Sequence, residues 1–357
     1  MTLEKLLKQP TPSTEMIRDL VEKEFSLIAL SKNVFGCKLK GSTEEIIQWL
    51  RQHPNEELAS HIAALKKHLH FRKKVLLLSG PNISTLNITG NAEFDFCNGV
   101  KLEDFNNMEP IEFRDNLASC TMSFQPYPRI WSFLSLEFSS NNEEDYKLSE
   151  KIAVSTLEET LICIQLTLMS RSCVQAVGSI DLSVSQLGFI EPFSPLLRLP
   201  YFEPRTGAFT SIHLQQANSL LTKFSQLEPQ DKAVIKLAAS RLHQFYSSAP
   251  HVDRAISLRI AMESIFCAVH ETEAKAKLIK KRAKRYILNE MRKIATEFNS
   301  KSIQSTMYDA YDMTSTCVHT GQSPEDISKL DDAASITKES IKKYIRTGVS
   351  PITTAIA

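Results

Sequence analysis

The sequence predicts an α+β protein with an N-terminal mixed α/β region, residues 1–215, and a C-terminal all-helical bundle, residues 216–350. Short apolar runs of the kind that form buried strands occur only in the first region, whereas apolar residues recur at helical spacing from Leu214 onward. Four prolines between residues 192 and 204 separate the two patterns. The length of 357 residues also fits two domains of roughly 150 residues each.

In the N-terminal region, helical patterns come first and strands follow. Residues 12–72 show helical periodicity. The strands are predicted at four places: Val75–Leu78, pieces of Ser84–Phe105, Trp131–Phe138 and parts of Val174–Phe189. Leu157–Met169 predicts a helix between the last two. No motif with a chemical mechanism occurs here, so we expect a sensing or recognition region.

The C-terminal region reads as a series of helices. Their predicted bounds are Leu214–Leu227, Asp231–Tyr246, Asp253–His270, Ala274–Met291, Ser302–Val318 and a last helix that starts at Ser323. The third of these is apolar on almost every side, which places it at the centre of a bundle.

The net charge of +1 hides an uneven distribution of charge. Residues 223–357 carry 21 Lys and Arg against 15 Asp and Glu, and the segment Lys275–Lys293 alone holds nine basic residues and one acid. Such a block is the electrostatic footprint of a polyanion-binding surface, although a solvated helix face is the commoner explanation. The candidate contacts to RNA are Lys280, Lys281, Arg282 and Arg285.

Other features limit the possible classes of function. The seven cysteines are odd in number and none is spaced CxxC, so neither a disulfide framework nor a structural zinc site is expected. We predict no metal and no cofactor. No apolar run is long enough to span a membrane, and the N-terminus lacks the apolar core of a secretory signal. The expected location is the cytoplasm.

The segment Tyr311–Gly321 holds the candidate catalytic groups. Asp312, Ser315 and His319 lie at i, i+3 and i+7, so they share one face of a helix. A carboxylate, a hydroxyl and an imidazole together suit general acid–base chemistry near neutral pH. Alternatively, His319 stabilises the end of its own helix, because Gly321 is placed to terminate that helix.

Three segments in the C-terminal half carry a family resemblance: Ser257–Ile265 (SLRIAMESI), Lys277–Ala283 (KLIKKRA) and Tyr311–Gly321 (YDMTSTCVHTG). In this order they resemble the "iALEsL" helix, the "kl..R.A" helix and the "Yd.RS..VHG" motif of the Apea-like group of the HEPN family. The resemblance implies a helical bundle that forms a homodimer, and many HEPN domains are metal-independent ribonucleases.

The resemblance assigns roles to individual residues. His319 matches the histidine that acts in acid–base chemistry on the RNA 2′-hydroxyl. The arginine that stabilises phosphate charge is replaced by Thr314, which cannot bind phosphate as a cation. Either Arg259 or a lysine of a partner substitutes for it, or the residue at position 314 was altered. Glu263 matches the family's glutamate and either orients the site or pairs with Arg259 one turn away.

Two functions remain open at this point. The first is a metal-independent endoribonuclease or toxin-like effector in anti-phage defence or stress response, weakened or inactive because of Thr314, with a phage-derived or cellular trigger bound by the N-terminal region. The second is a non-catalytic module for dimerisation or RNA binding. Few aromatic residues, Tyr286 and Phe298, lie near the basic block, which favours contacts to the RNA backbone or a flipped-out loop nucleotide over a stacking platform.

Overall fold

The computed structural model describes residues 37–39, 71–79, 93–108, 130–139, 143–168, 174–182, 190–192, 210–247, 251–271, 274–294, 300–324 and 328–353, together with residues 13, 15, 16, 19 and 114. Most of the helical pattern over residues 12–72 lies outside these ranges. Residues 15, 16 and 19 are helical as predicted, whereas residues 37–39 and 71–72 belong to strands.

The described strands form two antiparallel sheets. A small sheet pairs β1 (Cys37–Leu39) with β7 (Ile190–Pro192). The larger sheet has the order β3-β4-β5-β2-β6 and is antiparallel throughout. Its strands are β2 (Phe71–Ser79), β3 (Glu93–Asp95), β4 (Lys101–Asp104), β5 (Ile130–Ser139) and β6 (Gln175–Leu182).

Register explains why these apolar runs become central strands. Leu76 of β2 lies opposite Leu134 of β5, and Leu134 in turn lies opposite Leu102 of β4. Leu102 and Leu134 belong to one hydrophobic cluster with Leu157 and Leu161 of the helix that follows β5. The sheet is therefore covered on this face by a helix, and the predicted α+β layout is confirmed.

Seven α-helices are described. They are α1 (Glu143–Thr167), α2 (Ser211–Ser225), α3 (Pro229–Ser247), α4 (His251–Phe266), α5 (Lys275–Ile294), α6 (Ser300–Thr320) and α7 (Ser328–Thr347). Helix α4 contacts α3, α5, α6 and α7, which is the central position predicted from its apolar sides.

Several boundaries differ from the sequence predictions, and three of the differences bear on how the chain is divided. Helix α1 begins at Glu143, fourteen residues before the predicted start at Leu157. Ser323 and Pro324 are not helical, and the last helix is described from Ser328. The predicted domain boundary at residue 215 falls inside α2.

One hydrophobic cluster joins the sheet to the helices, from Leu78 in β2 to Ile345 in α7. Polar contacts support this junction, because the Nζ of Lys338 in α7 donates to the carbonyl of Leu168 at the end of α1 (3.3 Å). Among the described helices, none combines the length and the hydropathy needed to cross a bilayer.

Candidate functional site

A polar cluster joins three helices around the Arg259 side chain. Its Nε donates to Glu263 Oε1 (2.9 Å) one turn along α4, and its Nη1 and Nη2 reach Ser315 Oγ (3.3 Å) and Tyr311 Oη (3.4 Å) on α6. Lys275, the first residue of α5, donates to Glu263 Oε2 (2.5 Å). Two cations thus share one carboxylate, and the cluster keeps a net positive charge.

Hydrogen bonding controls the ionisation of this cluster. Burial opposes the charge of Glu263, but hydrogen bonds from Lys275, Arg259 and Tyr311 outweigh it and hold the pKa of the carboxyl below its ordinary value. Burial and the bond from its hydroxyl to Glu263 Oε1 (2.8 Å) raise the pKa of Tyr311 to about 12. Glu263 is therefore an anion that anchors its neighbours, and it is poorly suited to accept a proton near neutral pH.

The predicted residues Asp312, Ser315 and His319 share one face of α6 but differ in their contacts. Ser315 contacts Arg259, whereas Asp312 and His319 are exposed on the same face. Among the described residues, neither the Asp312 nor the His319 side chain makes a hydrogen bond with another group. Gly321 ends the helix as predicted, with φ of 67° and its N–H bound to the carbonyl of Cys317 (2.9 Å).

Thr314 does not lie in this cluster. Its side chain is fully buried (0% exposed), and its Oγ1 donates to the carbonyl of Tyr311 (3.0 Å). The position that matches the motif arginine therefore faces the hydrophobic core of this chain. Arg259, the substitute for the motif arginine that this chain itself offers, lies beside Ser315 (3.3 Å).

Glu263 does pair with Arg259, as the simpler of its two interpretations predicted. Its contacts with Lys275 and Tyr311 were not identified from the sequence. The loop between α4 and α5 brings Lys275 back to Glu263, and the packing of α6 against α4 brings Tyr311. Both contacts depend on tertiary structure, which the local pattern does not contain.

Arg282 was predicted to contact RNA, but the structure shows it buried within the protein. Only 7% of the residue is exposed, and its guanidinium donates to both oxygens of Glu271 (2.6 and 2.7 Å) and to the carbonyl of Phe266 (2.7 Å). These bonds hold the loop between α4 and α5. Arg282 is therefore part of the fold, because its charge is directed into the protein.

Five of the other basic residues of α5 form one face that is largely exposed. An α-helix turns by about 100° per residue, and the basic side chains of this face lie within about 100° of one another around the helix axis. We call them the "basic stripe". Its members are Lys277, Lys281, Lys284, Arg285 and Arg292, of which Lys284 is half-buried and the others are exposed. The one acid of this helix, Glu290, lies off the stripe and pairs with Lys343 of α7 (3.2 Å).

Lys280 lies at the edge of the stripe and contacts the ring of Tyr308, which was not identified from the sequence. Its Nζ lies 4.7 Å from the ring centroid of Tyr308 on α6. Tyr286, by contrast, is buried with its hydroxyl on the carbonyl of Val349 (2.7 Å), and Phe298 is outside the described residues. Helices α5 and α6 follow one another in the chain, which made it reasonable to expect them to pack together, but the sequence held no signal for the particular pair of Lys280 and Tyr308.

Comparisons of the chain with protein-family models, curated proteins and solved structures give no match in any of the three. The HEPN resemblance thus rests on the three sequence segments. In the part of the chain that the structure describes, no group of three or more His, Cys, Asp or Glu side chains is arranged to hold a metal ion.

Proposed function

We propose that the helical region is a HEPN-like module that binds RNA through the phosphate backbone. The observation that carries this proposal is the basic stripe of α5. Its cations face outward along one side of the helix, while Glu290 is engaged elsewhere. A solvated helix would gain from acids placed among the lysines at i+4, and the stripe contains none.

The physical basis is the release of counterions from RNA. Each phosphate that a lysine or arginine neutralises adds about 0.7 to the slope of log affinity against log salt for a single strand. If the two exposed lysines Lys277 and Lys281 both contact phosphates, removing them should flatten that slope by about 1.4.

The test compares two double variants with the same change of charge. Lys277→Gln/Lys281→Gln alters the stripe, whereas Lys151→Gln/Lys223→Gln alters exposed lysines of α1 and α2. Fluorescence anisotropy with labelled RNA at several salt concentrations should show a flatter slope only for the stripe variant. Equal effects of the two variants, or a wild-type protein that binds no RNA at low salt, would contradict the proposal.

A second candidate function is weak, metal-independent cleavage of RNA. It is supported by Arg259, whose guanidinium lies beside Ser315, one helical turn from the exposed His319. In this mechanism His319 accepts the proton of the 2′-hydroxyl, and the 2′-oxygen bonds to the adjacent phosphorus. The bond from phosphorus to the 5′-oxygen breaks, that oxygen takes a proton from water or from the protonated His319, and the positive charge of Arg259 stabilises the charge on the phosphate. Glu263 offsets part of that positive charge, which is why we expect slow turnover. A toxin-like role in defence, triggered through the N-terminal region, belongs to this candidate.

Cleavage has its own readout. Wild-type protein incubated with total RNA should leave 2′,3′-cyclic phosphate ends, and His319→Ala should abolish them. Arg259→Gln should lower the rate by about 10²-fold or more, the usual effect of losing one electrostatic donor. Products that persist in His319→Ala would come from a contaminant and would refute this candidate, while RNA binding by the stripe would stand.

A further inference from the structure

Tyr308 is an aromatic side chain left in contact with solvent. Its exposed fraction is 39%, the largest among the aromatic residues whose side chains the structure describes. The other aromatics of the helical region are mainly in the core, and Phe224, Phe245 and Phe266 are fully buried. A partly exposed ring beside a cationic surface can stack on a flat apolar group such as a nucleobase.

The ring lies where α6 borders the basic stripe. Lys280, whose Nζ is 4.7 Å from the ring centroid, is next to Lys281 in the chain and within one turn of Lys277 and Lys284 on α5. A phosphate held by these lysines would thus have its own nucleotide within reach of the ring. The ammonium beside the ring also adds a cation–π contribution to a stacked complex.

The charges on α6 orient such a strand. Asp309 and Asp312 are exposed on the turn that follows Tyr308. Their carboxylates repel phosphates, but they accept hydrogen bonds from base amino groups such as the N4 of cytosine. Phosphates are therefore favoured over α5 and base edges over α6, which is the arrangement of a single strand lying along the boundary of the two helices.

We propose that Tyr308 is a base-stacking residue and that the preferred ligand is single-stranded RNA with unpaired bases. This inference rests on the proposed function, because the basic stripe supplies the phosphate contacts. In an A-form duplex the bases are stacked on one another and their faces are closed to a side chain. The ring discriminates single strands from duplexes, and the stripe alone does not.

The test uses full-length Tyr308→Ala, Tyr308→Phe and, as a control, Leu237→Ala, which removes a similarly exposed apolar side chain from α3 (46% exposed). The probes are a single-stranded RNA, the blunt duplex formed from it, and inorganic polyphosphate, a polyanion without bases. Tyr308→Ala should weaken binding of the single strand by about fivefold or more, the usual loss per stacked base. Binding of polyphosphate and the salt slope should stay unchanged, and Tyr308→Phe and Leu237→Ala should behave as wild type.

The outcomes separate this inference from the proposal beneath it. If Lys277→Gln/Lys281→Gln flattens the salt slope but Tyr308→Ala leaves binding of the single strand unchanged, the stacking role is refuted and the stripe stands. Equal losses for RNA and polyphosphate, or duplex binding as tight as single-strand binding, also refute stacking. If the stripe variant has no effect, the proposed function falls instead.

Discussion

Lys281 and Arg282 are adjacent in α5, but substitution by methionine is expected to change the stability of the fold at only one of them. Lys281 is an exposed member of the basic stripe, whereas the guanidinium of Arg282 is buried against Glu271 and the carbonyl of Phe266. The loop that Arg282 holds includes Ala274, whose φ of 54° is unfavourable for a residue with a Cβ. We therefore predict that Arg282→Met destabilises the fold and that Lys281→Met does not.

The size of the effect follows from what Arg282→Met leaves behind. The Arg282 side chain is 8% exposed and that of Glu271 20%. Removing one partner of a buried ion pair costs roughly 3–5 kcal/mol. Glu271 retains some water and the N–H of Ala268 (2.7 Å), so we expect the lower end, about 3 kcal/mol. Lys281→Met should stay within about 0.5 kcal/mol of wild type.

Urea denaturation followed by circular dichroism measures both free energies of unfolding. The double variant Arg282→Met/Glu271→Gln should recover part of the lost free energy of unfolding, because it removes the carboxylate that Arg282→Met leaves without its cation. RNA binding should show the reverse order, with Lys281→Met weakened and Arg282→Met unchanged at temperatures where it is folded. Equal stability of the two single variants would refute the assignment of Arg282 to the fold.

Other consequences can be checked with the same protein. The hydrogen bond from Arg282, opposed by burial, lowers the pKa of Glu271 from 4.5 to about 2. The ion pair therefore stabilises the fold fully above pH 4.5, and this stabilisation is lost as the pH falls toward 2. Glu271→Gln should make the free energy of unfolding depend less on pH in this range, and an unchanged pH profile would count against the pair. Thr314→Val should be nearly neutral, whereas Thr314→Arg should cost about 3 kcal/mol or more in urea denaturation by burying a charge; a Thr314→Arg protein as stable as wild type would disprove the inward orientation. The family resemblance implies a twofold homodimer with the two His319 residues near the interface, and a monomer by light scattering at micromolar concentration would argue against it.

The helices of the bundle were predictable because their apolar residues recur at helical spacing. The inward orientation of two polar residues was also readable from that spacing. Arg282 lies three residues after the buried Ile279 and four before Tyr286, and Thr314 lies four after Ala310 and three before Cys317, so both fall on apolar faces. The basic run and the family motif instead predicted that both residues belong to a functional surface.

Contacts between distant parts of the chain could not be predicted in the same way. The meeting of Arg259 with Ser315 depends on how α4 packs against α6, and the strand order β3-β4-β5-β2-β6 depends on pairings that local patterns leave open. The start of α1 was missed because Ser139–Asp145 is polar throughout, so no apolar periodicity marks that end of the helix.

Crosslinking of bound RNA to the protein is the most direct test of the proposal that RNA lies along α5. Single-stranded RNA containing 4-thiouridine is bound to the full chain and irradiated, and the crosslinked peptides are identified by mass spectrometry. We predict crosslinks on the peptides that carry Lys277, Lys281 and Tyr308, and their loss in Lys277→Gln/Lys281→Gln but not in Lys151→Gln/Lys223→Gln. Crosslinks confined to peptides outside α5 and α6, or retained in full by the stripe variant, would contradict the account.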